Sequence, residues 1–242
     1  MLKYIHGEIY RLLRKKSMYI YFGMLAVGYI LITYIRSSGF TPESILNDAY
    51  TIFGFLPVLV GGFLFAAIYT DDLSSKNLIP LVGFGLRRIT IVISKLILMA
   101  LFGTIIFGLA PLLHIVVYSV LGFPATSNVW MMIYATSLEY LLTTLAFAAL
   151  AGVAVYGLQR TTFAIVLYLL LALNIISQLL VMMLGSHVPN LTNYMIGSIT
   201  DRIFNAITDS GSLTLPVIGF VAYVLIALVL TTLAFNKKEM EF

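Results

Sequence analysis

Long uncharged runs alternate with short charged clusters along this chain. Runs wholly or nearly free of Asp, Glu, Lys and Arg occupy residues 17–35, 49–70, 95–121, 129–157, 162–184 and 215–235. A helix needs about 20 apolar residues to cross a hydrocarbon layer, and a charged residue at its centre costs about 2.5–3.5 kcal/mol. The six runs therefore predict six transmembrane helices within one membrane domain over 1–242. Their apolarity is continuous, without the period-two alternation of a barrel strand, and helices are the other structure whose backbone is satisfied within lipid. The punctuation agrees: Asp48 and Asp71 bound the second run, Gly122 to Asn128 turn the third into the fourth, and Gln159-Arg160 separate the fourth from the fifth.

Three of the segments outside the spans carry patterns of their own. Residues 1–16 place Leu2, Ile5, Ile9, Leu12 and Leu13 at helical spacing with Lys3, Arg11, Arg14 and Lys15 elsewhere around the axis, the pattern of an interfacial helix. A basic stop that only fixes orientation is the alternative. Residues 71–90, DDLSSKNLIPLVGFGLRRIT, are polar at first and apolar in the middle, with Pro80, Gly83 and Gly85 interrupting them. A loop carrying Leu78, Ile79, Leu81, Val82 and Phe84 needs a partner protein or a membrane face to bury them. In 185–213, Tyr194, Met195, Ile199, Ile203 and Ile207 recur every few residues among polar ones, predicting a short amphipathic helix between Pro189 and the turn at Asp209–Ser212.

Composition narrows the class. Of 242 residues 61% are hydrophobic and 10% charged, against about 25% charged in soluble domains. A soluble fold and a disordered chain are excluded, and the lack of cysteine removes disulfide scaffolds and thiolate metal sites. The basic N-terminus before the first run raises a cleavable signal peptide, but that run is long and ends at Tyr34-Ile-Arg-Ser-Ser38 without a small-x-small site, so a retained span is expected.

Charge orients the spans. With the N-terminus inside, twelve of the fourteen basic residues and five acidic ones fall on the cytoplasmic side, a net +7; Arg36 and Arg202 with four acidic residues leave −2 outside, and Glu139 within span four completes the +4. By the positive-inside rule this places both termini in the cytoplasm of a multi-pass plasma-membrane protein. The basic excess thus reports topology and contact with anionic lipid headgroups and calls for no nucleic acid.

Catalytic signatures are missing: there is no Gly-x-x-x-x-Gly-Lys-Ser/Thr phosphate loop, no His-Glu-x-x-His and no Gly-x-Ser-x-Gly. The reading is therefore not an enzyme, with no directly bound cofactor and no metal. Among polar residues in the spans, Glu139 lies about 15 Å and His114 about 10 Å from the outer ends of their helices at the usual helical rise, depths that allow a contact. His114, Glu139 and Asn174 are the candidates for lining a translocation path. For His114 and Glu139 a proton-sensitive pair and a hydrogen-bonded packing pair both stand, and Asn174 with Gln178, four apart, also suits helix–helix contact. Pro111 is expected to bend span three.

The segment from Asp72 to Lys95 resembles the loop between the second and third helices of ABC-2 type permeases, the membrane subunits of ABC exporters, in the subgroup tied to peptide-antibiotic resistance, lantibiotic immunity and peptide export. Gly85, Arg88, Ser94 and Lys95 fill the Gly-x-x-Arg and Ser-Lys pattern. Asp71, Asp72 and Ser75 stand where that family has Glu-x-x-x-Gly-Thr. The resemblance implies a type V exporter-like architecture and a coupling helix within 71–90 that docks on a separate ATPase subunit, with ATP and Mg bound on that partner, in two copies. It further implies a second permease subunit, identical or paralogous. Asp71, Asp72, Lys76, Arg87, Arg88 and Lys95 would form the polar edge of the ATPase contact. The expected function is export of an amphipathic peptide or hydrophobic compound. A proton-coupled secondary transporter using Glu139 and His114, and an anchoring subunit without transport, are the rivals.

Orientation is directly testable because every introduced cysteine is the chain's only thiol. A membrane-impermeant maleimide is expected to label Ser127→Cys in intact cells and Thr161→Cys only after permeabilisation; the reverse pattern would invert the topology.

Overall fold

The computed structural model describes residues 2–36, 41, 44–70, 82–83, 85–123, 126–185, 187–188, 190–209 and 211–237. They form helices α1 (Leu2–Leu13), α2 (Lys16–Arg36), α3 (Ser44–Tyr69), α4 (Arg88–Val120), α5 (Ser127–Leu158), α6 (Thr161–Ala172), α7 (Ile175–Leu184), α8 (Ile196–Thr208) and α9 (Thr214–Lys237), and no strand occurs among the described residues. Five of these helices are long and apolar enough to cross a membrane, or six spans if α6 and α7 count as one broken helix. The chain is an all-α, multi-pass membrane protein. Its lipid-facing character shows in the exposed apolar side chains of α2 and α9, among them Met24, Leu31, Ile218 and Leu225.

Helix α5 is the hub, touching α3, α4, α6, α8 and α9. Small residues allow this: a Cβ added at Gly157 would lie 3.3 Å from Ala234 Cβ, and one at Gly152 would lie 3.6 Å from the Thr231 hydroxyl. Close backbone approach replaces hydrophobic driving force as the source of helix association in lipid. Two prolines are absorbed by neighbouring hydroxyls. Pro111 lacks an N–H for the carbonyl four residues back, and Ser137 of α5 donates its hydroxyl to that Phe107 carbonyl at 2.5 Å. Pro57 opens a π-helical stretch, Pro57–Gly61, and Tyr168 donates to the Pro57 carbonyl at 2.8 Å while Tyr21 donates to that of Leu59 at 2.9 Å.

The fifth span departs from the expected continuous helix over 162–184. Leu173 and Asn174 break it, the two halves meet at 70°, and Asn174 sits at φ 57. Asparagine is one of the few residues with a side chain that visits this left-handed region readily. Continuous apolarity carried no trace of the break, since neither Gly nor Pro marks it. Asn174 caps the start of α7, its carbonyl accepting from the Gln178 N–H at 3.0 Å, and both residues are exposed. Asn174 lies about 20 Å along from Thr161 at 1.5 Å per residue, short of a full crossing of about 30 Å.

Two further boundaries shift. Helix α3 begins at Ser44, so Asp48, expected in the outside loop, lies inside the helix and is buried. The amphipathic helix expected in 185–213 is present as α8, with Ile196, Thr200 and Ile203 buried. It sits deeper than a surface helix would: the Thr200 hydroxyl is 3.0 Å from that of Thr143, which lies about 22 Å along α5 from Leu158. Helix α1 also matches, with Ile5 and Ile9 packed on the core and Leu12 fully buried.

The tightest seam is at Gly61, where an added Cβ would fall 2.1 Å from the Tyr168 hydroxyl and 2.8 Å from Thr144 Cγ2. Gly61→Ala is expected to lower stability by about 1–3 kcal/mol in detergent unfolding, whereas Gly108→Ala, with nothing within 4 Å, should be neutral or stabilising. Equal effects would argue against this packing.

Candidate functional site

Two polar clusters stand at opposite ends of the bundle. The end where α2, α4 and α6 begin and α5 and α9 finish carries Lys16, Arg88, Arg160 and Lys237 and is termed the basic end.

At the basic end the deepest charge is Lys95, fully buried about two turns into α4. Its ammonium meets the Glu8 carboxylate of α1 at 2.8 Å and lies over the Tyr4 ring at 5.7 Å. Arg11, one turn along α1, meets the same carboxylate oxygen at 2.8 Å and donates to the Ala67 carbonyl of α3 at 3.4 Å. Burial disfavours the Glu8 carboxylate, but Lys95 and Arg11 more than offset this and hold its carboxyl below the ordinary value of 4.5. Helix α1 is thus pinned by charge to α4, through Lys95, and by Arg11 to α3.

Beside this clamp, Gly85 has φ 83 and turns the chain toward α4, a conformation that glycine adopts without strain. Arg88 then donates to the Phe235 carbonyl, and to that of Asn236 at 3.1 Å, satisfying carbonyls that the end of α9 leaves open. Its guanidinium also lies 5.1 Å from the Phe235 ring centroid. Arg87 is exposed. Asp71, Asp72 and Lys76 lie outside the described residues, as does most of the loop they belong to. Of the residues assigned to the ATPase edge, Arg87 faces outward, while Arg88 and Lys95 act first as anchors of the bundle.

The distal end holds the second cluster. His114 is fully buried. Its Nε2 lies 2.9 Å from the Ile45 carbonyl, which can only accept, so Nε2 carries a proton; in the neutral ring Nδ1 then accepts from the Tyr29 hydroxyl at 2.7 Å. The imidazole stacks on Tyr118 with centroids 4.8 Å apart, and Tyr118 donates to the buried Asp48 carboxylate at 2.5 Å. Three helices, α2, α3 and α4, are tied by this chain of contacts.

Glu139 does not join it. Both imidazole nitrogens are engaged by Tyr29 and Ile45, and half-buried Glu139 instead lies within electrostatic reach of Asp201 on α8. Asn174 sits at the break between α6 and α7. The three path candidates therefore occupy three separate places. Sequence reasoning missed Glu8, Tyr29, Asp48 and Tyr118. A signal existed for Glu8, which stands three residues before Arg11 on a helix otherwise basic and apolar.

No family model matches the chain, and no curated protein matches it.

Removing one partner of a buried ion pair costs about 3–5 kcal/mol, so Glu8→Gln is expected to destabilise the detergent-solubilised protein by that order, and Glu8→Met with Lys95→Met should recover much of it. A single variant as stable as the parent would contradict the clamp. Because folding lowers the Glu8 value, its contribution is fully present above 4.5 and is lost as pH falls through the lowered folded-state value. Acid unfolding should therefore be blunted in Glu8→Gln.

Proposed function

We propose that this chain is the permease subunit of an ATP-driven ABC exporter, moving an amphipathic peptide or hydrophobic compound out of the cell or its inner leaflet. The observation that carries this reading is the residue pattern Gly85, Arg88, Ser94 and Lys95 following an apolar loop, in a membrane domain without a phosphate loop. The anchoring of that pattern supports it. Gly85 redirects the chain, Arg88 ties the start of α4 to the end of α9, and Lys95 ties α4 to α1. A loop that passes force from an ATPase to the helices needs such a rigid base, because a mobile attachment would dissipate the displacement.

On this reading both termini are cytoplasmic, the basic end faces the ATPase, and two permease subunits complete the transporter. The exposed apolar faces of α2 and α9 leave room for lipid and for that second subunit. The broken α6–α7 helix and the deep-set α8 supply the membrane domain with short elements that can reorganise more readily than full spans. The proton-relay reading draws less support, because it asks Glu139 and His114 to act together and they have different partners.

Affinity purification of the full-length protein from its native membranes is expected to bring down a P-loop ATPase whose ATP hydrolysis rises with an amphipathic peptide. Repeated absence of any ATPase, with pH-driven transport by this chain alone in liposomes, would overturn the proposal.

A further inference from the structure

An apolar groove of about 500 Å³ runs between α6 and α9 at the basic end, with Gly157, Phe163, Leu167 and Ala234 on its walls and Lys237 at its mouth. Its origin is local. Small residues bring α5 and α9 together at Gly157 and Ala234; then Gln159, at φ 53, turns the chain out of α5 and α6 starts away from α9. The wedge left between them opens sideways, and Phe163 and Leu158 on its rim are about half exposed, at 51% and 49%.

Among the described residues the mouth is positive and the walls are uncharged. Lys237 ends α9, Arg160 is exposed just before α6, and the first amides of α6 have no side-chain cap from Arg160. Open amides at a helix start favour an anion. An apolar slot beneath a cationic mouth matches one occupant best, a phospholipid with an anionic headgroup. A second copy docked through the same face would set like charge against like here, and a free phosphate would leave the slot unfilled.

We propose that this groove seats one anionic phospholipid, its phosphate at Lys237 and the start of α6 and an acyl chain between α6 and α9. The inference needs only the membrane fold and not the ATPase, so it stands or falls apart from the exporter reading. The purified full-length protein would be exposed in detergent to phosphatidylglycerol or phosphatidylcholine with identical acyl chains, and retained lipid read by native mass spectrometry. Phosphatidylglycerol is expected to be held about fivefold more strongly, a preference removed by Lys237→Gln. Val153→Trp, filling the slot, should reduce retention of both lipids. Equal retention of the two lipids, or a preference unchanged in Lys237→Gln, would overturn the proposal. So would a Val153→Trp variant that breaks an oligomer while keeping its lipid. Lys237 is exposed, so its variant decides the matter even if Val153→Trp fails to fold.

Discussion

A lysine ammonium with no exposed surface must find an anion or lose its charge, and most of the basic end is arranged around that requirement. Lys95 is answered by Glu8, which comes from the amphipathic helix preceding the first span. A short amphipathic helix is thereby made part of the bundle, and Arg11 extends the tie to α3. The cost of an unpaired charge in this setting is several kcal/mol, enough to decide where α1 sits.

The same demand, that nothing polar be left unsatisfied away from water, accounts for the other cross-links. Ser137 answers the carbonyl freed by Pro111, Tyr168 answers Pro57, Tyr118 answers Asp48, and Tyr29 answers His114. Each joins different helices, so the polar groups that composition makes scarce are also the ones that set helix positions. Between these tied ends α5 runs unbroken while the fifth span does not, and α8 packs on the middle of α5 at Thr143 and reaches toward the distal end, where Phe204 meets Tyr50 of α3. A rigid basic end joined to a segmented distal half is a frame on which displacement of one end can be expressed at the other.

Apolarity and charge made the first four spans, the last span, α1 and α8 legible in advance, because each depends on properties summed over many residues. What escaped depends on single residues meeting across the fold. The break at Asn174 follows from one left-handed residue in an otherwise uniform run. Asp48 reads as a boundary because charge usually marks one, and only Tyr118, seventy positions away, shows why it is inside. His114 and Glu139 were close in inferred depth, yet depth says nothing of direction around a helix axis. Arg88 and Lys95 were recognised by their pattern, while their anchoring roles become visible only with Phe235, Asn236 and Glu8 in place.

The central proposal is that energy enters this membrane domain at the basic end, through the loop that leads into α4. A photo-crosslinker placed at Gly83, which is exposed beside that loop, tests it most directly in native membranes. The account predicts an adduct with a P-loop ATPase from Gly83 and none from Gly122 at the opposite end; an ATPase adduct from Gly122, or none from Gly83 while the two proteins co-purify, would contradict it.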